Sequence, residues 1–537
     1  MARQEDFVDP NAPQEEMPPP QDVPQDPEDW TDRIVQATPW WAISIGVHGL
    51  VLLLAIYIVM GAGTVAQPED VTMMKLPQKP LEQPKFELPR DIFDNRKPIR
   101  AEKAVEDPVF IKDAEEADHN ETANDEEFQQ AKGDSKDFLS DKPFKGPGVN
   151  DSIGVGGGGG GRYGGRLGGK RNLVSRGGGS QATEGAVLAG LRWLARHQNA
   201  DGSWDTDGFT SNCGKVIKGS CGGPGYPEYD VGNTGCALLA FLGAGYTHLS
   251  RDTYDGICFG HVVKKGIQWM MANQDSEGCI GGKSAAKYMY NHSIAALAMS
   301  EAYGLTGSGL FKENAQKSID FLISAQNPGK GWRYTAKSGD NDSSVTGWCV
   351  MALKSAEISG LNAPKSGYEG ARAWFDEVTG EDFRVGYNAK GTGQVVVQGK
   401  NENYANHEAL TAIGIMSRIF MDKNKSDPRL RGGADLLIRD LPVWDGPKID
   451  FYYWYYTSLA LFQYDGPNGT YWKSWNENMK NALVNNQKKA SEGCLSGSWD
   501  PIDRWGFEGG RVYATAINVL TLEVYYRYEN VFGSEKR

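Results

Sequence analysis

The chain has 537 residues, a formal net charge of −13, 67 glycines and 26 prolines. The glycines and prolines are unevenly spread, which excludes one uniformly folded body and implies long unfolded tracts beside a single large domain. Seven cysteines, an odd number, exclude complete disulfide pairing within a monomer.

Residues 1–38 carry ten acidic side chains, from Glu5 to Asp32, against Arg3 and Arg33, with Pro18, Pro19 and Pro20 in their midst. They hold too little apolar surface to fold alone and read as a disordered acidic tail. Residues 39–63 read as a transmembrane helix. The 21 residues from Trp40 to Met60 bear no formal charge, and as a helix they rise about 31 Å, the thickness of a hydrocarbon core. A basic leading segment and a clear cleavage site are both missing, so a retained anchor is expected rather than a signal peptide. Ser44 and His48 share one helix face. A polar ring at that depth needs a partner or a task, met either by a local hydrogen bond or by a neighbouring subunit. Lys75 and Lys79 downstream outnumber Arg33 upstream, which favours an outside N-terminus.

Residues 64–180 alternate prolines and charges ("KLPQKPLEQPKFELPRD") and end in glycine ("GVGGGGGGRYGGRLGGKR"). A disordered tether of this length has a root-mean-square span of about 60 Å. Arg162, Arg166, Lys170, Arg171 and Arg176 resemble an arginine-glycine RNA-binding segment, but the acidic half of the tether and the preceding anchor argue against nucleic acid as a partner.

The texture becomes helical over residues 181–537, and internal repeats decide the fold. "WLARHQNADGSW" (193–204), "WMMANQDSEGCI" (269–280) and "FLISAQNPGKGW" (321–332) each place an aromatic residue five positions before a glutamine, and a worn copy, "VNNQKKASEGCLSGSW", ends at Trp499. Gln198, Gln274 and Gln326 are expected at helix C-termini, satisfying orphan backbone groups, while Trp204, Trp332 and Trp499 pack over the turn. These are scaffold residues. Six apolar, small-residue segments begin at Asn233, Asn291, Ser343, Asn406, Tyr455 and Val512; they alternate with six amphipathic ones around 183–197, 262–273, 312–325, 366–378, 429–440 and 474–488. Helices apolar nearly all round must be buried and the amphipathic ones must cover them, which predicts six inner helices within six outer ones.

The aromatic-Leu/Met-x3-Gln-x3–4-Gly-x-Trp pattern resembles the QW repeat of squalene-hopene and oxidosqualene cyclases, and the helix pairing resembles the toroid shared with protein prenyltransferase β subunits. The resemblance covers roughly residues 183–530 and implies an all-α (α/α)6 toroid, a fold that hosts enzymes and plain binding domains alike. Cyclases of this kind protonate substrate with the middle aspartate of Asp-x-Asp-Asp. In "DNDSSVTGW", Asp340 and Asp342 match and Ser343 replaces the last aspartate. Asp342 thus reads either as a general acid or as a helix N-cap. The Asp-x-Cys pair of the zinc prenyltransferases and the Cys-Gly-Glu-Gln of thioester domains are both absent. His292, His407 and Glu408 stand at inner-helix starts, but no metal-ligand set is assigned and no cofactor is expected. Cys236 and Cys349 read as small core residues, Cys213 and Cys221 could bridge in an oxidising compartment, and Cys279 and Cys494 follow the same Ser-Glu-Gly triplet.

The segment "WWAISIGVHGLVLLLAIYIV" resembles the N-terminal anchor of TonB-type energy transducers, whose Ser-x3-His face contacts a proton-driven ExbB/ExbD motor; Ser44 and His48 match it. This implies a single-pass protein of the bacterial inner membrane with a periplasmic C-terminal domain, against the lysine count. Two functions are expected. The first is a membrane-anchored binding or coupling toroid with Asn233, His292, His407, Glu408, Tyr455, Tyr456 and Arg511 around a pocket for an unknown polar ligand or protein. In that reading Arg511, or a histidinium, holds Asp342 in its charged form. The alternative is a cyclase- or prenyltransferase-like enzyme acting on an isoprenoid lipid, with Asp342 as general acid beside Asp340.

Overall fold

In the computed structural model, helix α1 (Lys170–Gly177) leads into six outer–inner pairs: α2 (Gln181–Arg196) with α3 (Asp230–Gly243), α4 (Phe259–Ala272) with α5 (Tyr288–Thr306), α6 (Gly309–Ala325) with α7 (Ser343–Ile358), α8 (Lys365–Val378) with α9 (Ala409–Asp422), α10 (Pro428–Leu437) with α11 (Phe451–Asp465), and α12 (Thr470–Asn485) with α13 (Gly506–Leu522). A short α14 (Val524–Arg527) follows. The structure describes residues 170–528, together with His48, Tyr163, Arg166, Val531 and Phe532. The chain divides into two units, 1–100 and 101–537, and all of these residues except His48 belong to the second.

Inner helices α3, α5 and α7 are buried on almost every face because their alanines, glycines and serines let neighbouring backbones approach. Around the ring α3 packs on α5, α5 on α7, α7 on α9, α9 on α11, α11 on α13, and α13 returns to α3. The outer helices bury one stripe each, as Phe311, Ala315, Ile319 and Leu322 do in α6. The domain is therefore an all-α (α/α)6 toroid, and among the described residues its one sheet is a two-stranded hairpin, Thr253–Tyr254 with Ile257–Cys258.

Glutamines tie four of the six outer helices to the next. From the end of α2, Gln198 donates to its own loop at Gly202 O (2.9 Å) and to Val262 O of α4 (2.9 Å). Gln274 does the same to Gly278 O and to Asn314 O of α6, and Gln326 to Lys330 O and Gly367 O of α8. Gln487 closes the circle, donating from the end of α12 to Gly497 O and to Ala186 O of α2, 2.8 Å each. Buried Trp204, Trp332 and Trp499 donate their indole N–H back to Leu194 O, Leu322 O and Leu483 O. Each such bond adds a side-chain donor to a carbonyl in the last turn of an outer helix.

The tether boundary at residue 180 needs correction. Helix α1 lies within it, and Lys170 forms a buried ion pair with Glu184 at 2.8 Å. Earlier still, Tyr163 and Arg166 are fully buried, and the Arg166 guanidinium meets Glu301 at 2.7 Å, where Arg527 also pairs with Glu301 at 3.1 Å. An arginine in a glycine tract looks solvated in sequence, yet here its carboxylate partner belongs to the core. The acidic tail, the membrane segment 39–63 and most of the tether lie outside the described residues; His48 alone of the membrane segment is described, as helical and exposed. Among the described residues no helix is long and apolar enough to cross a membrane.

Candidate functional site

All six inner helices begin at the same end of the barrel, and their opening turns line a cavity of about 150 Å³. Asn233 comes from α3, Tyr290 and Asn291 from α5, Ser344 and Trp348 from α7, Leu410 from α9, Tyr452 from α11 and Tyr513 from α13; loops add Tyr229, Tyr334, Tyr387 and Gln394. The wall is mostly aromatic. The Trp348 ring stacks on Tyr455 (5.9 Å between centroids, 17° between planes), with Tyr456 edge-on at 5.5 Å, and the Ser344 hydroxyl lies 2.6 Å from that of Tyr452. At the rim Lys287 donates to Tyr229 Oη and pairs with Glu508 at 3.1 Å. The rim amides hold the frame: Asn233 donates to Thr206 Oγ1 and Gly509 O, and Asn291 donates to Glu228 O while accepting the Gly232 N–H. Two buried atoms of the lining, Tyr513 Oη and Gln394 Oε1, have no hydrogen-bond partner among the described residues.

Asp342 stands directly behind this wall. Its Oδ1 accepts the Val345 N–H at 2.7 Å, capping α7, and its Oδ2 accepts from Tyr387 Oη at 3.4 Å. The Tyr387 hydroxyl in turn meets that of Tyr334. Complete burial pushes the Asp342 carboxyl up to about 7, against the opposing pull of the Val345 N–H and of Arg333. The expectation that Arg511 would keep Asp342 charged fails on position: Arg511 pairs with Asp500 at 2.6 Å and donates to Gly222 O and Ser498 Oγ. Asp340 is exposed and pairs with Arg333 at 3.1 Å, and Ser343 donates to Gly386 O.

Of the seven pocket residues expected from sequence, Asn233 lines the cavity, and Tyr455 and Tyr456 form a buried layer against its Trp348. The others serve the frame. His292 accepts the Ile280 N–H and donates to Ser318 O, and burial pulls its imidazole down to about 4. His407 stacks on Tyr453 at 4.8 Å with its Nε2 on Lys448 O, while Glu408 pairs with Arg384 and accepts from Thr411. The cavity is accordingly more aromatic and less charged than the sequence suggested. Tyr290, Trp348 and Tyr513 were missed because an aromatic residue in an apolar helix reads as core, and only ring closure shows which ones face the hole.

No family model matches the chain, and no curated protein is similar to it. Solved structures with a likeness include an α-amylase from Clostridium perfringens (12% identity, TM-score 0.43, 63% of this chain and 97% of that one). An α-1,6-mannanase of Salegentibacter sp. is 11% identical, with a TM-score of 0.43 over 64% of this chain and 98% of that one. The type II terpene cyclase MstE from Scytonema is 12% identical, with a TM-score of 0.41 over 64% and 97%.

Proposed function

We propose that the toroid is a binding module whose cavity takes a small amphipathic molecule, with a flat apolar or conjugated body against Trp348 and hydrogen-bonding groups at one end. The observation that carries this reading is an aromatic cavity whose lining keeps two buried polar atoms, Tyr513 Oη and Gln394 Oε1, without partners among the described residues. A group left unpaired in this way costs stability that a bound molecule can restore. Mass spectrometry of small molecules extracted from the purified full chain tests it. A species held in stoichiometric amount and lost in Trp348→Ala is the expected result. Absence of any retained molecule, together with unchanged tryptophan fluorescence on titration with cell lipid and metabolite extracts, rules the reading out.

A second reading, an acid-dependent enzyme acting on an isoprenoid lipid, is favoured by the buried, raised carboxyl of Asp342 and by its hydrogen bond to Tyr387 in the cavity wall. A cyclic product formed from squalene or a geranylgeranyl substrate, and absent with Asp342→Asn, selects the enzyme. The membrane half of the proposal rests on sequence: Ser44 and His48 match a motor-coupled anchor, with the toroid on the periplasmic side of the inner membrane. His48→Ala should leave the protein in the membrane but abolish copurification with a proton-channel complex. Retention by both His48→Ala and Ser44→Leu reduces the pair to a local hydrogen bond.

A further inference from the structure

Two of the insertions in the repeat lie at opposite ends of the toroid sequence. From Gln198 to Trp204 and from Gln326 to Trp332 the chain advances six positions, but from Gln487 to Trp499 it advances twelve; the first repeat also carries a long loop, 205–229, before α3. These two insertions meet. Cys213 and Cys221 from the loop, Cys494 from the last insertion and His197 at the end of α2 bring their ligand atoms within 4.8 Å of one another. His197 Nε2 lies 3.6 Å from Cys213 Sγ, 3.5 Å from Cys221 Sγ and 3.4 Å from Cys494 Sγ. Zinc bound at about 2.05 Å to nitrogen and about 2.3 Å to sulfur, with tetrahedral angles, sets each N···S edge at about 3.6 Å.

The outer groups are also arranged as a metal requires. His197 Nδ1 lies 2.8 Å from Trp193 O, so it donates its proton there and leaves the Nε2 lone pair toward the three sulfurs. The Cys221 N–H donates to Cys213 Sγ at 3.2 Å, and the Cys494 N–H to Lys218 O at 3.1 Å, tying the loop to the last insertion. Three thiolates and a divalent cation leave one negative charge, and two guanidinium groups stand at this seam, Arg196 donating to Ser496 O at 2.7 Å and Arg511 to Gly222 O at 2.7 Å. All seven cysteines are free thiols, Cys213 and Cys221 among them, so the bridge these two could form is not made in this structure.

We infer that His197, Cys213, Cys221 and Cys494 form a structural Cys3His zinc site that clamps the first repeat to the last. All four ligands come from the protein, which marks a closed structural site rather than a catalytic one with an open position. His197 and Cys494 are 297 positions apart, so the ion cross-links the two ends of the ring at the seam where Gln487 reaches Ala186. The clamped loop continues to Tyr226, whose N–H donates to Glu508 O, and to Tyr229 at the cavity rim. The zinc thereby also holds that rim.

The full chain, purified without a metal-affinity tag or chelator, is assayed by plasma mass spectrometry. One zinc per chain is expected, falling more than tenfold in Cys221→Ser and unchanged in Cys258→Ser, whose thiol lies outside the cluster. Because Cys221→Ser could fail to fold, the wild type supplies a second readout: cobalt substitution should give intense tetrahedral d–d bands and thiolate-to-cobalt charge transfer, and mercurial titration should release zinc in step with three thiols. Wild-type protein that stays metal-free after incubation with zinc, that binds zinc without thiolate charge transfer, or that carries a disulfide among Cys213, Cys221 and Cys494 overturns the assignment.

Discussion

Asp342→Asn separates the two readings of that residue through the pH dependence of stability. The carboxyl sits at about 7 in the fold against 3.8 as the ordinary value. Between these limits the folded chain holds a proton that the unfolded chain has released, so stability falls as pH rises, by about 1.4 kcal/mol per pH unit. From pH 5 to pH 7 the loss is about 2 kcal/mol, because the folded carboxyl is itself half deprotonated at the upper limit. Asparagine keeps an oxygen for the Val345 N–H and does not titrate, so the variant should gain that amount relative to wild type over the same interval. At an unfolding entropy of about 2.1 cal/mol/K per residue, a toroid of about 360 residues converts this to about 3 °C in Tm. Thermal melts of both proteins at pH 5 and pH 7 measure it. Taking the difference between proteins cancels Asp450, Asp503 and Glu523, other buried acids that burial also raises. Parallel shifts, with a constant offset of about 1 kcal/mol from a weakened cap, would mean an ionised Asp342 and would remove the proton-donor reading as well.

Gln487→Leu deletes both bonds that close the outer ring and should cost about 1–3 kcal/mol in urea unfolding; a loss under about 0.5 kcal/mol would show that other contacts hold the seam. Glu301→Gln strips the carboxylate from buried Arg166 and Arg527 and should cost about 3–5 kcal/mol in the same assay. A chain beginning at residue 160 should melt higher than one beginning at 181, because the shorter one leaves Glu301 without Arg166 and Glu184 without Lys170. Equal melting temperatures would mean that the glycine-rich segment adds nothing to the fold.

The ring of helices is legible in the sequence because helix burial and helix pairing are local and periodic. Small-residue helices apolar on all faces have to be covered, and a glutamine five positions after an aromatic residue recurs at the ends of α2, α4 and α6, where each of these outer helices reaches the next. Asp342 as the cap of α7 is legible for the same reason, since a cap acts over three residues. Whether that carboxyl is charged depends on what surrounds it, and tertiary packing decided this by sending Arg511 to Asp500 and burying Asp342 behind Tyr387. The same holds for Arg166, which composition assigns to a solvated tether and Glu301 draws into the core. Cys213, Cys221 and Cys494 carry no zinc-binding spacing, because a toroid brings its first and last repeats together only when the ring closes; the local sequence specifies each repeat, and closure alone specifies what meets at the seam.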